Sequence, residues 1–273
     1  MSPRASTPGR RVAAALVLAA ALLPAACVDS FLAPEPGDDA VALFDLFWAE
    51  IDAYYAYFAY KPWLDWNAIR EEYRAGVTAG MPPRDLAELM GTMIAELRDG
   101  HADLHTPFGP FGFDPFAGQP QNYLPGATRD YIVNRRVFAG GVFEAGLVAQ
   151  GVGYVRVASL GVRGTGPVID DVLAAFPAAD AWIIDLRGNG GGSDTEGKAI
   201  AARFYDRPRV FRSFRYRDGP AHDDFGDLVQ DEIQPAGDVR FAGPVAVLTN
   251  AQTFSAAEGL VAAFRPLPHA FVV

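Results

Sequence analysis

The chain has 273 residues, 50% of them hydrophobic and 21% charged, enough to bury a large core with a smaller appendage. A formal net charge of −10 excludes nucleic acid and anionic membrane surfaces as natural partners. The single cysteine, Cys27, excludes an internal disulfide.

Arg4, Arg10 and Arg11 precede an apolar run from Val12 to Leu23, followed by Pro24, Ala25 and Ala26. This is the pattern of a secretory signal, too short to span a membrane. Cys27 takes the position of the lipidated cysteine of bacterial lipoproteins, although Pro24 departs from the usual residue in that box. Residues 1–27 are therefore read as a signal peptide with a candidate lipidation site, with plain secretion as the alternative. The mature protein is expected outside the cytoplasm, periplasmic or membrane-anchored, touching a membrane only through that lipid. Cleavage removes three arginines and no acid, taking the charge from −10 to −13. Residues 28–40, with FLAPEPGDD, read as an acidic proline-rich tether.

Residues 41–100 read as a helical domain. Phe44, Phe47, Ile51, Tyr54, Tyr55 and Phe58 recur at helical spacing, and Trp63 and Trp66 flank a second helix start near Asp65. The aromatic cluster is expected in the core; a groove for an extended peptide is the rival reading. After Pro82 and Pro83, the stripe Leu86, Leu89, Met90, Met93, Ile94 and Leu97 predicts a third helix, with Gly100 as its C′ residue. His101 follows. It is either a proton carrier whose charged form the helix end favours, or a cap for loose carbonyls. A zinc-binding helix would need glutamate where Ala102 stands, and neither metal nor cofactor is expected.

Residues 101–273 read as an α/β unit. Pro107 to Gly126 is rich in Gly, Pro and Phe and is expected to be a long loop or lid. Val152–Val157 is a strand and Pro167–Phe176 a helix; Ala181–Leu186 has the apolar run of a strand buried on both faces. Gly190, Gly191 and Gly192 then turn into a helix over Thr195–Phe204, capped by Ser193 or Asp194. Such a turn sits at the ligand edge of a sheet with amides able to face an anion. A dinucleotide fingerprint nearly fits, but Ser193 stands where its last glycine belongs and Asp206 precedes a strand instead of ending one. Arg209–Tyr216 is a strand, and residues 221–239 a polar excursion. Val245–Leu248 is a buried strand, after which Ser255 opens a helix. Ser255 and Glu258 have capping-box spacing, yet a serine at a strand-to-helix turn is also where a nucleophile projects. Local pattern leaves both open.

Three stretches, LRDGH (97–101), IIDLRGNGGG (183–192) and VLTNAQTFSAAE (247–258), resemble in this order the C-terminal processing (tail-specific) serine peptidases. The tricorn core protease and interphotoreceptor retinoid-binding protein share that superfamily. The resemblance runs from Phe44 to the end. It implies a crotonase-like ββα core behind an N-terminal helical domain, with Ser255 as nucleophile. The N–H of Ala256 and that of Gly190 or Gly191 would form the oxyanion hole, and an extracytoplasmic polypeptide would be the substrate. One branch uses a lysine beyond the serine as base, the tricorn-like branch the histidine of D-G-H. Lys61 and Lys198, the only lysines, both precede Ser255, which favours His101. Gly100 stands where the tricorn-like branch has a helper serine, so the group orienting His101 is unidentified. The family's PDZ domain does not fit between His105 and Gly151. Relatives continue past the position of Val273, so the sequence reads as truncated and lacking part of the catalytic set. A non-catalytic peptide- or lipophile-binding protein on the same fold is the alternative, motivated by the retinoid-binding relative and the capping box.

Overall fold

The computed structural model describes residues 39–120 and 122–273. The expected signal peptide, Cys27 and nearly all of the tether lie outside the described residues. No helix among the described residues is long and apolar enough to cross a membrane.

Three helices, α1 (Ala40–Tyr54), α2 (Trp66–Arg74) and α3 (Pro83–Ala95), form the first layer. Asp39 and Asp65 start α1 and α2 by accepting from the Val41 and Ala68 amides, while Pro83 opens α3 where its missing N–H has no partner to lose. Their apolar faces meet at Phe44, Phe58, Trp66, Met93 and Leu97. Most of the expected aromatic cluster joins this core: Phe44, Phe58 and Trp66 are buried, with Phe47, Ile51 and Tyr55 packed against them. Tyr54 and Trp63 are each more than half exposed; Tyr54 is the last residue of α1 and Trp63 lies beyond it. The end of α3 also departs from expectation. Its last helical residue is Ala95, and Arg98, not Gly100, takes the left-handed conformation at φ 48°. Gly100 serves close packing: a Cβ there would lie 2.6 Å from Pro115 Cγ and 3.1 Å from Phe254 Cζ.

The expected lid begins as a hairpin, β1 (Asp103–Thr106) paired with β2 (Gly109–Gly112), laid on α3 with Phe111 against Gly91. Glycine and proline mask these short strands in the sequence. A one-turn helix, α4 (Pro125–Arg129), follows.

The central sheet contains β3 (Val133–Phe138), β4 (Phe143–Ala149), β5 (Val152–Val157), β6 (Ala181–Asp185), β9 (Val245–Leu248) and β10 (Ala270–Val272). Its order is β10-β9-β6-β5-β4-β3, antiparallel from β3 to β5 and parallel from β5 to β10. Helices α5 (Ile169–Ala174), α6 (Asp194–Ala201) and α7 (Ala256–Phe264) make the crossovers. Val172, Ile200, Leu260 and Phe264 from these helices pack with Val155, Trp182, Ile184 and Val247 of the sheet. Period-two alternation sends Tyr154, Ile183 and Asp185 to the opposite face. A separate hairpin joins β7 (Arg209–Phe214) to β8 (Val229–Ile233). The β8 strand, VQDEI, is too polar to stand out from the excursion around it.

Candidate active site

Parallel pairing of β6 with β9 sets Asp185 beside Leu248, so the turns that follow the two strands open side by side on one sheet edge. Backbone and side-chain bonds fasten them. Phe254 N–H donates to the Asn189 carbonyl at 3.0 Å, Gly188 N–H to Asn250 Oδ1 at 2.9 Å, and the Thr253 hydroxyl to the Leu186 carbonyl at 2.9 Å. Asn189 is fully buried; its Nδ2 donates to the Val157 carbonyl and its Oδ1 accepts from Gly191 N–H, both at 2.9 Å. One amide thus ties the glycine loop to the end of β5. Beneath it, buried Asp185 accepts from the Tyr154 hydroxyl at 2.7 Å and from Arg187 Nη2 at 2.6 Å. Burial, and then the Asp185 charge, pushes the Tyr154 phenol well above its ordinary range, so it stays a donor.

Ser255 occupies the turn after β9 with φ 57° and ψ −125°. A plain N-cap has extended backbone, as Asp39 and Asp65 do. Ser255 does not. Ser255 and Glu258 stand in capping-box positions, and Ser255 N–H donates to Glu258 Oε2 at 2.8 Å. Glu258 N–H donates to the Ser255 carbonyl at 2.9 Å and faces the serine side chain, closing the capping box. The box holds the serine backbone in a strained conformation.

Two amides beside it lack protein acceptors among the described residues: Ala256 at the first position of α7, and Gly190 in the exposed part of the glycine loop. Gly191, the other amide named from sequence, is corrected by its bond to Asn189: its N–H is consumed within the loop. Its role is steric. With φ 93°, a Cβ at Gly191 would lie 2.6 Å from the Phe254 carbonyl and 2.9 Å from both Ala256 N and Ser255 Cβ.

His101 comes from the helical side. Its ring lies flat on Phe254, centroids 4.3 Å apart and planes at 17°, while Phe116 meets the other edge of Phe254 at 5.4 Å and 78°. The imidazole therefore lies against the residue that precedes Ser255. It is 56% exposed and lies past the last turn of α3. Its backbone N–H donates to Asp99 Oδ1 at 3.0 Å. His105 stands exposed on β1 opposite Pro110. Both lysines are engaged: Lys61 with the Tyr55 hydroxyl and Leu97 carbonyl, Lys198 with Asp231. Among the described residues, no group of three His, Cys, Asp or Glu side chains could hold a metal ion.

Sequence reasoning passed over Asn189, Asp185, Thr253 and Asp99. A polar residue enclosed by glycines, such as Asn189, was the one available signal, since a side chain there must bond to backbone. Outside the turns, the uncovered sheet face forms a groove of about 410 Å³ whose lining includes Leu124, Tyr131, Tyr154, Ile183 and Arg187.

Residues 151–273 match the family model for peptidase family S41, and residues 38–95 that for the tricorn protease C1 domain. No curated protein matches the chain. Among solved structures, a candidate peptidase from Parabacteroides merdae is similar at 28% identity and a TM-score of 0.79, over 86% of this chain and 74% of that one. Mature CPAF shares the fold at 11% identity and a TM-score of 0.65, over 86% and 82% of the respective chains. A lipoprotein from Streptococcus agalactiae is similar at 13% identity and a TM-score of 0.50, over 89% and 77%. Two family models match in the expected order and the mixed α/β fold is shared with a peptidase at 28% identity, so residues 151–273 form a peptidase family S41 domain and the chain is a serine-type peptidase.

Proposed function

We propose that Ser255 is the nucleophile of a tail-specific endopeptidase acting on extracytoplasmic polypeptides, with His101 as its base. The observation that carries this reading is the Ser255 backbone at φ 57° and ψ −125°, strain that a helix cap does not need. Ser255 Oγ attacks the scissile carbonyl carbon and His101 takes the hydroxyl proton. The amides of Ala256 and Gly190 receive the oxyanion, and His101 returns the proton to the leaving amine. Water then hydrolyses the acyl-enzyme by the same route. The engagement of Lys61 and Lys198 elsewhere supports a histidine base, as in the tricorn-like branch. The apolar groove bounded by Leu124 and Tyr131 is suited to an extended peptide. A signal peptide ending at a lipidated Cys27 would set the enzyme outside the cytoplasm.

The test is cleavage of one peptide by the full-length protein with its C-terminus free or amidated. Preference for the free carboxylate supports tail specificity; equal rates leave an endopeptidase without it. Incorporation of labelled fatty acid, lost in Cys27→Ser, tests the anchor.

A further inference from the structure

Asp99 lies at the turn that delivers His101, and nothing in the mechanism above uses it. Its carboxylate is 18% exposed and carries four contacts from three residues, all on the helical side of the molecule. Oδ2 accepts from the Tyr55 hydroxyl at 2.7 Å, with Lys61 Nζ at 3.9 Å. Oδ1 accepts the backbone N–H of His101 at 3.0 Å and faces the Nδ1 of the same imidazole at 3.8 Å. Tyr55 in turn accepts from Lys61 at 2.6 Å, and Lys61 also donates to the Leu97 carbonyl. Tyr55 directly follows α1, Lys61 follows a short 3-10 turn at Phe58–Tyr60, and Asp99 follows α3. Three separate segments of the helical layer converge on one carboxylate.

We infer that Asp99, held by Tyr55 and Lys61, is the positioning residue that orients His101. It fixes the turn through the His101 amide, draws the Nδ1 proton toward its Oδ1, and so leaves the Nε2 lone pair for the Ser255 proton. A histidine's tautomer is set by the partner of its other nitrogen. When Nε2 takes the proton, Nδ1–H stays in place and the imidazolium lies beside a carboxylate that is not itself protonated. The surroundings keep that carboxylate supplied with donors: burial, and then Asp99, pushes the Tyr55 phenol far above its usual range, so its proton remains on oxygen. Gly100, between Asp99 and His101, lets Pro115 and Phe254 close over the turn. This inference rests on His101 being the base, and gives the helical layer a part in the chemistry.

Long-range 1H–15N NMR of the 15N-labelled protein tests it without any turnover. The chain has four histidines, and His101→Gln identifies the His101 signals. The expected result is a neutral His101 protonated mainly at Nδ1, reverting in Asp99→Ala to the Nε2–H form that free imidazole prefers, with the other three histidines unchanged. Tyr55→Phe, which spares both Asp99 and His101, should weaken the Nδ1 preference. A wild-type His101 protonated mainly at Nε2 overturns the inference whether or not any variant folds, as does an Nδ1 preference that survives Asp99→Ala. Ser255→Ala must leave the tautomer unchanged. Loss of the nucleophile assignment would therefore show in reactivity at Ser255, and loss of this inference only in the His101 spectrum.

Discussion

The imidazole of His101 is stacked on the ring of Phe254, with centroids 4.3 Å apart and an interplanar angle of 17°. Phe254 is the residue before Ser255, so the platform that holds the proposed base is covalently joined to the proposed nucleophile. Removing it in Phe254→Ala forfeits an aromatic contact of about 0.5–1.5 kcal/mol. The expected outcome is a kcat lowered roughly three- to tenfold with KM nearly unchanged, measured by steady-state kinetics of the full-length enzyme.

Strain at Ser255 predicts a trade between stability and reactivity. Ser255→Gly relieves the left-handed backbone while losing some chain entropy, for a net gain of roughly 1 kcal/mol. Thermal denaturation should show a higher Tm, while peptidase activity disappears. A Tm below wild type would mean that the φ of 57° costs nothing.

Asn189 predicts a structural cost at the same site. Asn189→Ala leaves the Gly191 amide and the Val157 carbonyl without their buried partner. The loss should be about 2–4 kcal/mol in urea denaturation. Activity should fall further than stability explains, because the Gly190 amide loses its support.

How much of this was legible follows from what each residue's neighbours are. The strands β5, β6 and β9 and the starts of α2, α6 and α7 could be read because apolar runs, aspartate or serine caps and glycine turns are local signals. The hairpin β1–β2 and the strand β8 were hidden by glycine, proline and acidic residues whose pairing is decided by packing on α3 and β7. Ser255 and His101 were reached through family resemblance, since capping-box spacing alone favours a bland role. Asn189, Asp99 and the consumed Gly191 amide depend on contacts between distant segments, which no spacing encodes. The exposed Tyr54 and Trp63 show the opposite limit: an aromatic side chain can stand in a cluster in the sequence and still face away from the core.

An ion pair between Asp170 on α5 and buried Arg203 gives the acid limb of stability. The hydrogen bond from Arg203, foremost, holds the Asp170 carboxyl below its ordinary 3.8. A carboxyl depressed in the folded state stabilises the protein above its unfolded value, and that contribution fades as pH falls through the folded one. Asp170→Asn should therefore lower Tm near neutral pH. The difference from wild type should vanish well below pH 3.8, where Asp170 is protonated in both states.

The nucleophile is tested most directly by a fluorophosphonate probe on the full-length protein, with the modified residue mapped by mass spectrometry. A single adduct on Ser255, absent in Ser255→Ala and strongly slowed in His101→Ala, is the predicted result. An adduct on another residue, or labelling unchanged in Ser255→Ala, would contradict it.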